Sequence, residues 1–221
     1  MINRAFTKNI ISSRIIALLL LLVAVIILGG FFLLIQYSPL FLLLFFIVIP
    51  VTQFFISPFF RVVGYYNYLS PMLLAIAQGK KRYDIHNGTS FDYLLHMRKI
   101  NCGTPWQNRL LYFYLTGLLE VIRRVENDEI PEEIIIRGSS YFFSENTALR
   151  LGFRLEKPPV MVYYKVITDY IDLTWMYSCS KRRLAFPSLK NVKAAVTTGR
   201  ELCLHKAQLI ILQKKLSSYG T

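Results

Sequence analysis

Residues 15–35, IIALLLLLVAVIILGGFFLLI, and residues 40–60, LFLLLFFIVIPVTQFFISPFF, are two long apolar runs near the start of the chain. No charged residue lies between Arg14 and Arg61. A membrane-spanning helix needs about 20 predominantly apolar residues, so each run is long enough to cross a bilayer. The runs are separated by the sequence QYSP, which contains two turn-forming residues. The sequence therefore predicts a transmembrane helical hairpin.

The basic residues that flank this hairpin predict its orientation. Arg4, Lys8 and Arg14 precede the first run and Arg61 follows the second, whereas the turn between the runs is uncharged. Basic flanks of membrane helices stay preferentially in the cytoplasm. We therefore expect both termini to be cytoplasmic, and we expect the protein to lie in the inner (cytoplasmic) membrane of a bacterium.

Composition divides the chain into four segments. A basic N-terminus over residues 1–14 precedes the hairpin at 15–60. Residues 61–82 are rich in tyrosine and end in basic residues, which predicts a connector at the membrane interface. Residues 83–221 alternate between strand-like and helix-like patterns, and their length suits one cytoplasmic domain. The predicted fold class is thus a membrane-anchored mixed α/β (α+β) protein.

The charge balance indicates the class of partner. The chain has 26 basic and 13 acidic residues, and its formal net charge is +13. A basic surface is attracted to an anionic leaflet by about 1 kcal/mol per basic residue close to the lipid. The sequence contains no zinc-finger, helix-turn-helix or RNP-like pattern. We therefore expect membrane lipids as partners, with a membrane protein or a second copy of the chain as further possibilities, and no nucleic acid.

Local patterns predict the first elements of the domain. Asn87-Gly88 separates residues 83–86 from residues 89–97, and Asn-Gly between two strand-like runs predicts a β-hairpin. Thr104 followed by proline predicts the start of a helix that covers residues 105–126.

The second half of the domain is predicted in the same way. Residues 134–137 favour a strand, and Ser144 and Gly152 bracket a short helix over 145–151. The β-branched and aromatic residues of 160–168 favour a second strand. Pro187-Ser188 and the apolar periodicity after it predict a long final helix to about residue 216.

Residues 134–153, IIIRGSSYFFSENTALRLGF, give a strand, a loop, a short helix and a Leu-Gly-Phe turn in succession. This order resembles the C-terminal half of the GNAT N-acyltransferase fold. The resemblance implies a GNAT-like domain, acyl-CoA as cofactor and an acyl-transfer reaction. Tyr141 or Tyr163 would then be a candidate general acid near the leaving thiolate. The glycine-rich loop that holds the pyrophosphate of acyl-CoA in that family has no counterpart before residues 105–126.

A second candidate site surrounds the Asn-Gly dipeptide. His86 and Asp92 resemble the His-x4-Asp block of glycerolipid acyltransferases, in which the histidine deprotonates a hydroxyl and the aspartate orients the imidazole. Here five residues rather than four separate them. The alternative interpretation is a tight turn with polar side chains.

A third candidate site directly follows the predicted strand 134–137. Small residues after a strand leave backbone amides open to an anion, so this sequence predicts a ligand-binding nest. Its residues are Arg137, Gly138, Ser139 and Ser140. The three cysteines and three histidines are too dispersed to predict a metal site.

Three functions remain open from the sequence. The mismatch between a GNAT-like segment and an absent phosphate loop favours a binding or regulatory module without catalysis. The alternative is a membrane-tethered, acyl-CoA-dependent acyltransferase that acts on a lipid or envelope precursor. The third possibility is a two-span membrane effector in which the hairpin oligomerises.

Overall fold

The computed structural model describes residues 10–77, 79, 81–140, 145–188 and 192–217. The hairpin consists of α1 (Ile10–Tyr37), a 3-10 turn (Pro39–Leu44) and α2 (Phe45–Val62). The domain follows in the order β1 (Asn67–Ser70), β2 (Leu73–Ala77), β3 (Arg82–Asn87), α3 (Ser90–His96), α4 (Thr104–Glu126), β4 (Ile135–Ser140), α5 (Glu145–Arg150), β5 (Arg154–Glu156), α6 (Val160–Thr168), α7 (Tyr170–Lys181), β6 (Lys193–Thr198), α8 (Gly199–Leu204) and α9 (Lys206–Ser217). The chain thus has the general layout that the sequence predicts, an apolar helical hairpin before a mixed α/β domain.

The two helices of the hairpin pack against each other and run antiparallel, because only a short turn joins them. Ser38 begins the turn, and its hydroxyl accepts a hydrogen bond from the Leu40 amide at 3.4 Å. On α1, Ala17, Ala24 and Phe31 are buried at a seven-residue spacing. That spacing keeps one seam of a helix against its neighbour. Most other apolar side chains of α1 remain exposed.

Within the described residues, two helical segments are long and apolar enough to cross a membrane. They are Ser13–Tyr37 and Pro39–Val62. Only 11% of the most apolar stretch of the first segment is buried, and 17% of that of the second. A helix in the core of a soluble protein would be buried on most sides, so these helices are not of that kind.

Six strands in the described part of the chain form one sheet in the order β1–β2–β3–β4–β6–β5. The central pair, β3 and β4, is parallel, and all the other neighbouring strands are antiparallel. The parallel pairing ends at Ile85 and Gly138. Beyond it, β3 continues to pair with β2 through Asn87, and β4 continues to pair with β6 through Ser140. The two central strands therefore separate at their carboxyl ends.

Helix α4 supplies much of the core between the sheet and α9. Its side chains at Leu110, Leu118, Val121 and Ile122 are almost fully buried. Gly117 lets α4 approach the sheet closely, because a Cβ there would lie 2.6 Å from a side-chain carbon of Leu73. The prediction of a helix over residues 105–126 is confirmed.

The segment over residues 61–82, which we expected to be a connector at the membrane interface, is largely part of the sheet domain. It completes α2 and then forms β1 and β2, which are paired within the sheet. Leu73, Leu74 and Ala75 are buried there. A continuous apolar strand is buried on both faces, which makes its sequence hard to distinguish from that of an interfacial segment. The domain thus begins immediately after α2 rather than at residue 83.

The Asn87-Gly88 dipeptide does not connect two strands. It ends β3, and α3 begins at Ser90. The reason is a capping box: Thr89 Oγ1 accepts from the Asp92 amide, and the Asp92 carboxylate accepts from the Thr89 amide. These reciprocal bonds stabilise a helix start over a hairpin turn.

Two later predictions are also wrong. Residues 160–168 form helix α6 rather than a strand, and the predicted helix over 187–216 is a strand, β6, followed by α8 and α9. Strand β6 pairs on one side with β4 and on the other with β5, so distant partners decide its conformation. Ser144, the predicted cap of the helix over 145–151, lies outside the described residues; α5 itself covers Glu145–Arg150.

Candidate functional site

A cavity of about 420 Å³ lies between α2, the central strands and the pair α6–α7. Most of its lining is apolar, and its residues come from segments between Gln53 and Ala195. Among them are Phe54 and Phe60 of α2, Leu74 and Ile85 of the sheet, Leu118 of α4, Val162 and Val166 of α6, and Leu173 and Met176 of α7.

The sheet side of the cavity lies where β3 and β4 separate. Ile85 and Gly138, the last paired residues, both line the cavity. A Cβ at Gly138 would lie 2.8 Å from Ile85 Cγ1, closer than real side chains approach. A residue without a side chain is therefore required at this point of the central strand pair.

The last residues of β3 and the turn that follows contribute polar groups to the cavity lining. His86, Asn87, Gly88 and Thr89 all contribute to it. Asn87 is held in place because the Tyr114 hydroxyl donates to its side-chain oxygen. The Gly88 amide donates to the carbonyl of Met72, the residue directly before β2, at 2.9 Å, which ties this turn to the start of the neighbouring strand.

The charged groups that line the described part of the cavity are acidic. Asp169 accepts a hydrogen bond from Gln53 Nε2 of α2 at 3.2 Å. Asp172 accepts from Trp175 Nε1 at 3.3 Å, and burial raises the pKa of its carboxyl group above the ordinary value. No lysine or arginine is among the described lining residues. Such a cavity does not favour a ligand whose anionic group must enter it.

Asp92 lies beside this site in a buried hydrogen-bond network. Only 1% of its side chain is exposed, and its carboxylate accepts from the Thr89 amide at 2.8 Å, the Thr89 hydroxyl at 2.9 Å and the Tyr68 hydroxyl at 2.9 Å. Arg61, at the end of α2, makes an ion pair with it at 3.4 Å. Burial raises the pKa of Asp92, although the hydrogen bonds and Arg61 oppose the shift. The network joins α2 to the start of α3.

The same network occupies the backbone amides of the turn between β3 and α3. The Gly88 and Thr89 amides donate to Met72 and Asp92, and the Asp92 amide faces Thr89 Oγ1. A carboxylate at the first turn of α3 also repels an anion. The turn after β3 is therefore built to stabilise itself rather than to hold a pyrophosphate group.

The structure places the predicted site residues as follows. His86 and Gly138 line the cavity together. Asp92 is bound to Thr89, Tyr68 and Arg61, and Tyr141 lies outside the described residues. The roles predicted for these residues stay predictions.

The predicted anion nest at Arg137, Gly138, Ser139 and Ser140 has a different backbone from the one expected. All four residues belong to β4 and are paired with β6, from Val196 to Lys193. Their backbone therefore runs as a strand rather than as a loop with converging amides. Arg137 also lies opposite Asp84 of β3 in the register, one residue before the strands separate.

Several lining residues were not found from the sequence. Gln53 and Phe54 belong to the second apolar run, and Asp169 and Asp172 lie in a stretch for which the sequence predicted no site. The signal that could have indicated the first pair is Gln53 itself, because an amide within an apolar span usually has a polar partner.

The chain matches no protein-family model, no curated protein and no solved structure. Within the described residues, no three histidine, cysteine, aspartate or glutamate side chains are grouped so that they could hold a metal ion. Function therefore has to be inferred from the cavity and its lining.

Proposed function

We propose that this chain is an integral membrane protein whose acyltransferase-like domain binds an amphipathic, acyl-chain-bearing ligand in the cavity between α2 and the sheet. In this proposal it acts as a binding or regulatory module at the cytoplasmic face of a bacterial inner membrane. The observation that carries the proposal is the cavity itself, which is shared between an apolar helix and the point where the central strands separate.

The exposed surface of the hairpin supports membrane insertion. Leu18, Leu22, Ile26 and Leu33 of α1 are each more than half exposed, and so is Leu43 in the turn. Soluble proteins rarely expose contiguous apolar surface of this kind. Lipid tails would cover these side chains without any further protein partner.

The cavity has the size and chemistry of a site for an amphipathic molecule. Small-molecule sites have volumes of about 300 to 1,000 Å³ and are mainly apolar, with a few polar groups that fix the orientation. Here Phe54, Val166 and Leu173 would contact an acyl chain, and His86 and Asn87 would contact its polar end. The acidic lining suits a hydroxyl, amide or amine better than a phosphate.

Two features support an acyltransferase-like module without acyl-CoA chemistry. The succession of β4, α5, the Leu-Gly-Phe turn at 151–153 and β5 is the pattern that resembles GNAT N-acyltransferases. The amides of Gly88 and Thr89 already have acceptors within the fold, so a pyrophosphate would have to displace them. This combination favours a domain with an acyltransferase-like succession of elements that binds a ligand other than acyl-CoA.

The test is the thermal stability of the full-length protein in nanodiscs with and without ligand. We would titrate a fatty alcohol, a fatty amide, acyl-CoAs and free CoA. A ligand that binds only the folded state at 100 times its dissociation constant adds about 2.7 kcal/mol of stability. We expect the uncharged acyl compounds to stabilise the protein and free CoA to have no effect.

Two variants make this test specific to the cavity. Val162→Phe places a larger side chain in the cavity and is expected to abolish the stabilisation. Leu204→Phe makes a comparable change at a side chain that is 73% exposed and outside the cavity, and it should leave the stabilisation intact. Equal stabilisation of both variants, or of neither variant nor wild type, would overturn the proposal.

A catalytic function is the second candidate, because His86 lines the cavity and an imidazole there could take a proton from a substrate hydroxyl. In that case the chain would transfer an acyl group to a lipid or envelope precursor. Turnover that His86→Ala abolishes, and that the control His205→Ala retains, would establish this function. If no acyl donor gives turnover, the catalytic function is excluded and the binding module remains the proposed function.

A further inference from the structure

Helix α6 has an apolar surface on the side that faces away from the cavity. Val160 is 70% exposed and Tyr164 is 65% exposed, and Tyr163, Ile167 and Ile171 are each exposed by at least 40%. These positions follow the spacing of one helical face that continues into α7. A helix at the surface of a soluble domain would have polar side chains there.

The opposite side of α6 is apolar as well. Val162 and Val166 face the cavity, and Val166 is only 4% exposed. Apolar surfaces on both sides mean that α6 separates two apolar environments. One of them is the cavity, and the other must cover the exposed stripe.

The position of α6 against α2 indicates what that second environment is. Helices α6 and α7 both pack on α2, and Asp169, between them, accepts from Gln53. A helix rises 1.5 Å per residue, so Gln53 lies about 14 Å before the end of α2 at Val62. If Pro39–Val62 spans a bilayer, that depth is well inside the headgroup boundary on the domain side.

We infer that α6 is an interfacial membrane helix, whose exposed stripe from Val160 to Ile171 is inserted into the lipid on the side of the domain. The inference rests on the proposed membrane insertion of the hairpin. Amphipathic helices of this kind lie in the plane of the membrane interface, with their apolar face in the lipid. Tyr163 and Tyr164 suit the headgroup level, and the exposed Lys157 and Lys181 flank the stripe. Helix α6 then forms the wall between the bilayer and the ligand cavity.

The test uses tryptophan quenching by brominated phosphatidylcholine in nanodiscs that contain the full-length protein. Tyr164→Trp places a reporter in the exposed stripe, and Leu204→Trp places one on α8, where 73% of the side chain is exposed. The native Trp106 and Trp175 give the same background in both variants. We expect brominated lipid to quench Tyr164→Trp more strongly than wild type and to leave Leu204→Trp at the wild-type level.

The opposite result would overturn the inference. If Tyr164→Trp is quenched no more than Leu204→Trp while the protein stays in the nanodiscs, the hairpin spans the bilayer but α6 lies in water. If the protein does not stay in the nanodiscs, membrane insertion fails and the inference fails with it. Ile167→Trp, in the same stripe, replaces Tyr164→Trp if that variant does not fold.

Discussion

The contacts of Asp92 in the fold are those of a structural residue, whereas the sequence predicted a catalytic role for it. The sequence suggested a partner for His86, whereas the fold uses the carboxylate to cap α3 and to bind Tyr68 and Arg61. Arg61 also lies 4.6 Å from the centre of the Tyr68 ring, so the three side chains form one unit. This unit fixes the direction in which α2 enters the domain.

Asp92→Ala is expected to lower the free energy of unfolding by about 2 to 4 kcal/mol. The change removes a helix cap and leaves the Tyr68 hydroxyl and the Thr89 amide without their acceptor. Asp84→Ala is the control, because its ion pair with Arg82 is part-exposed and worth less than about 1 kcal/mol. Chemical denaturation of both variants measures the difference. Equal effects would mean that the Asp92 network contributes no special stability.

The pH dependence of stability tests the raised pKa of Asp92. Burial raises the pKa of Asp92 in the folded state. At pH values between the pKa of the unfolded chain and that of the folded protein, the folded protein therefore keeps a proton on Asp92 that the unfolded chain has released. Stability should therefore fall as pH rises from the ordinary aspartate pKa towards the raised one. Asp92→Asn cannot titrate, so the difference in unfolding free energy between wild type and this variant should change in that window. A difference that is constant with pH would contradict the shift.

At the scale of elements, the separation of β3 and β4 creates the site. Parallel pairing stops at Ile85 and Gly138, while each strand continues against its other neighbour. Ile85 and Gly138, where the strands separate, and His86 and Asn87 directly after Ile85, all line the cavity. The strands approach each other closely at this point because Gly138 has no side chain that would overlap Ile85.

Gly138→Ala is expected to destabilise the fold by about 1 to 3 kcal/mol, because its Cβ would overlap the Ile85 side chain. Adding Ile85→Ala should recover part of this loss, which a double-mutant cycle of unfolding free energies would measure. Gly30→Ala in α1 is the control, since a Cβ there meets no atom within 4 Å. Purely additive effects of Gly138→Ala and Ile85→Ala would show that overlap is not the cause.

At the scale of the whole molecule, the hairpin and the domain are one structural unit. The ring centroids of Phe54 on α2 and Phe91 on α3 are 5.5 Å apart, and Gln53 and Arg61 make polar contacts with the domain. Helix α2 is therefore both an apolar span and one wall of the cavity. A membrane anchor joined by a flexible linker would not supply lining residues to a ligand site.

If the hairpin is inserted in a membrane as proposed, its antiparallel helices place its turn and the domain on opposite sides of that membrane. Tyr37 is 88% exposed at that turn, and Cys102 is an exposed native thiol in the domain. In intact bacterial cells, a membrane-impermeant maleimide should label Tyr37→Cys but not the wild-type protein. Permeabilised cells should show labelling of Cys102 in both proteins. Labelling of the wild type in intact cells would contradict the cytoplasmic placement of the domain.

Local composition is sufficient to predict the hairpin and the longest helix of the domain. Two uncharged runs of about 20 residues can only be buried in lipid or in a large apolar environment, so their length predicts the hairpin. The helix that starts at Thr104 also follows from local signals, a proline in its first turn and a periodic apolar face. These features need no partner from elsewhere in the chain to be recognised.

Tertiary structure alone decided the sheet and the site. Residues 67–77, 160–168 and 193–198 have sequences compatible with more than one conformation, and pairing or packing with distant segments selects one of them. The cavity unites Gln53 with Ala195, which lie far apart in sequence. A site of this kind depends on contacts between segments that are distant in sequence, and local sequence patterns do not predict which segments will be in contact.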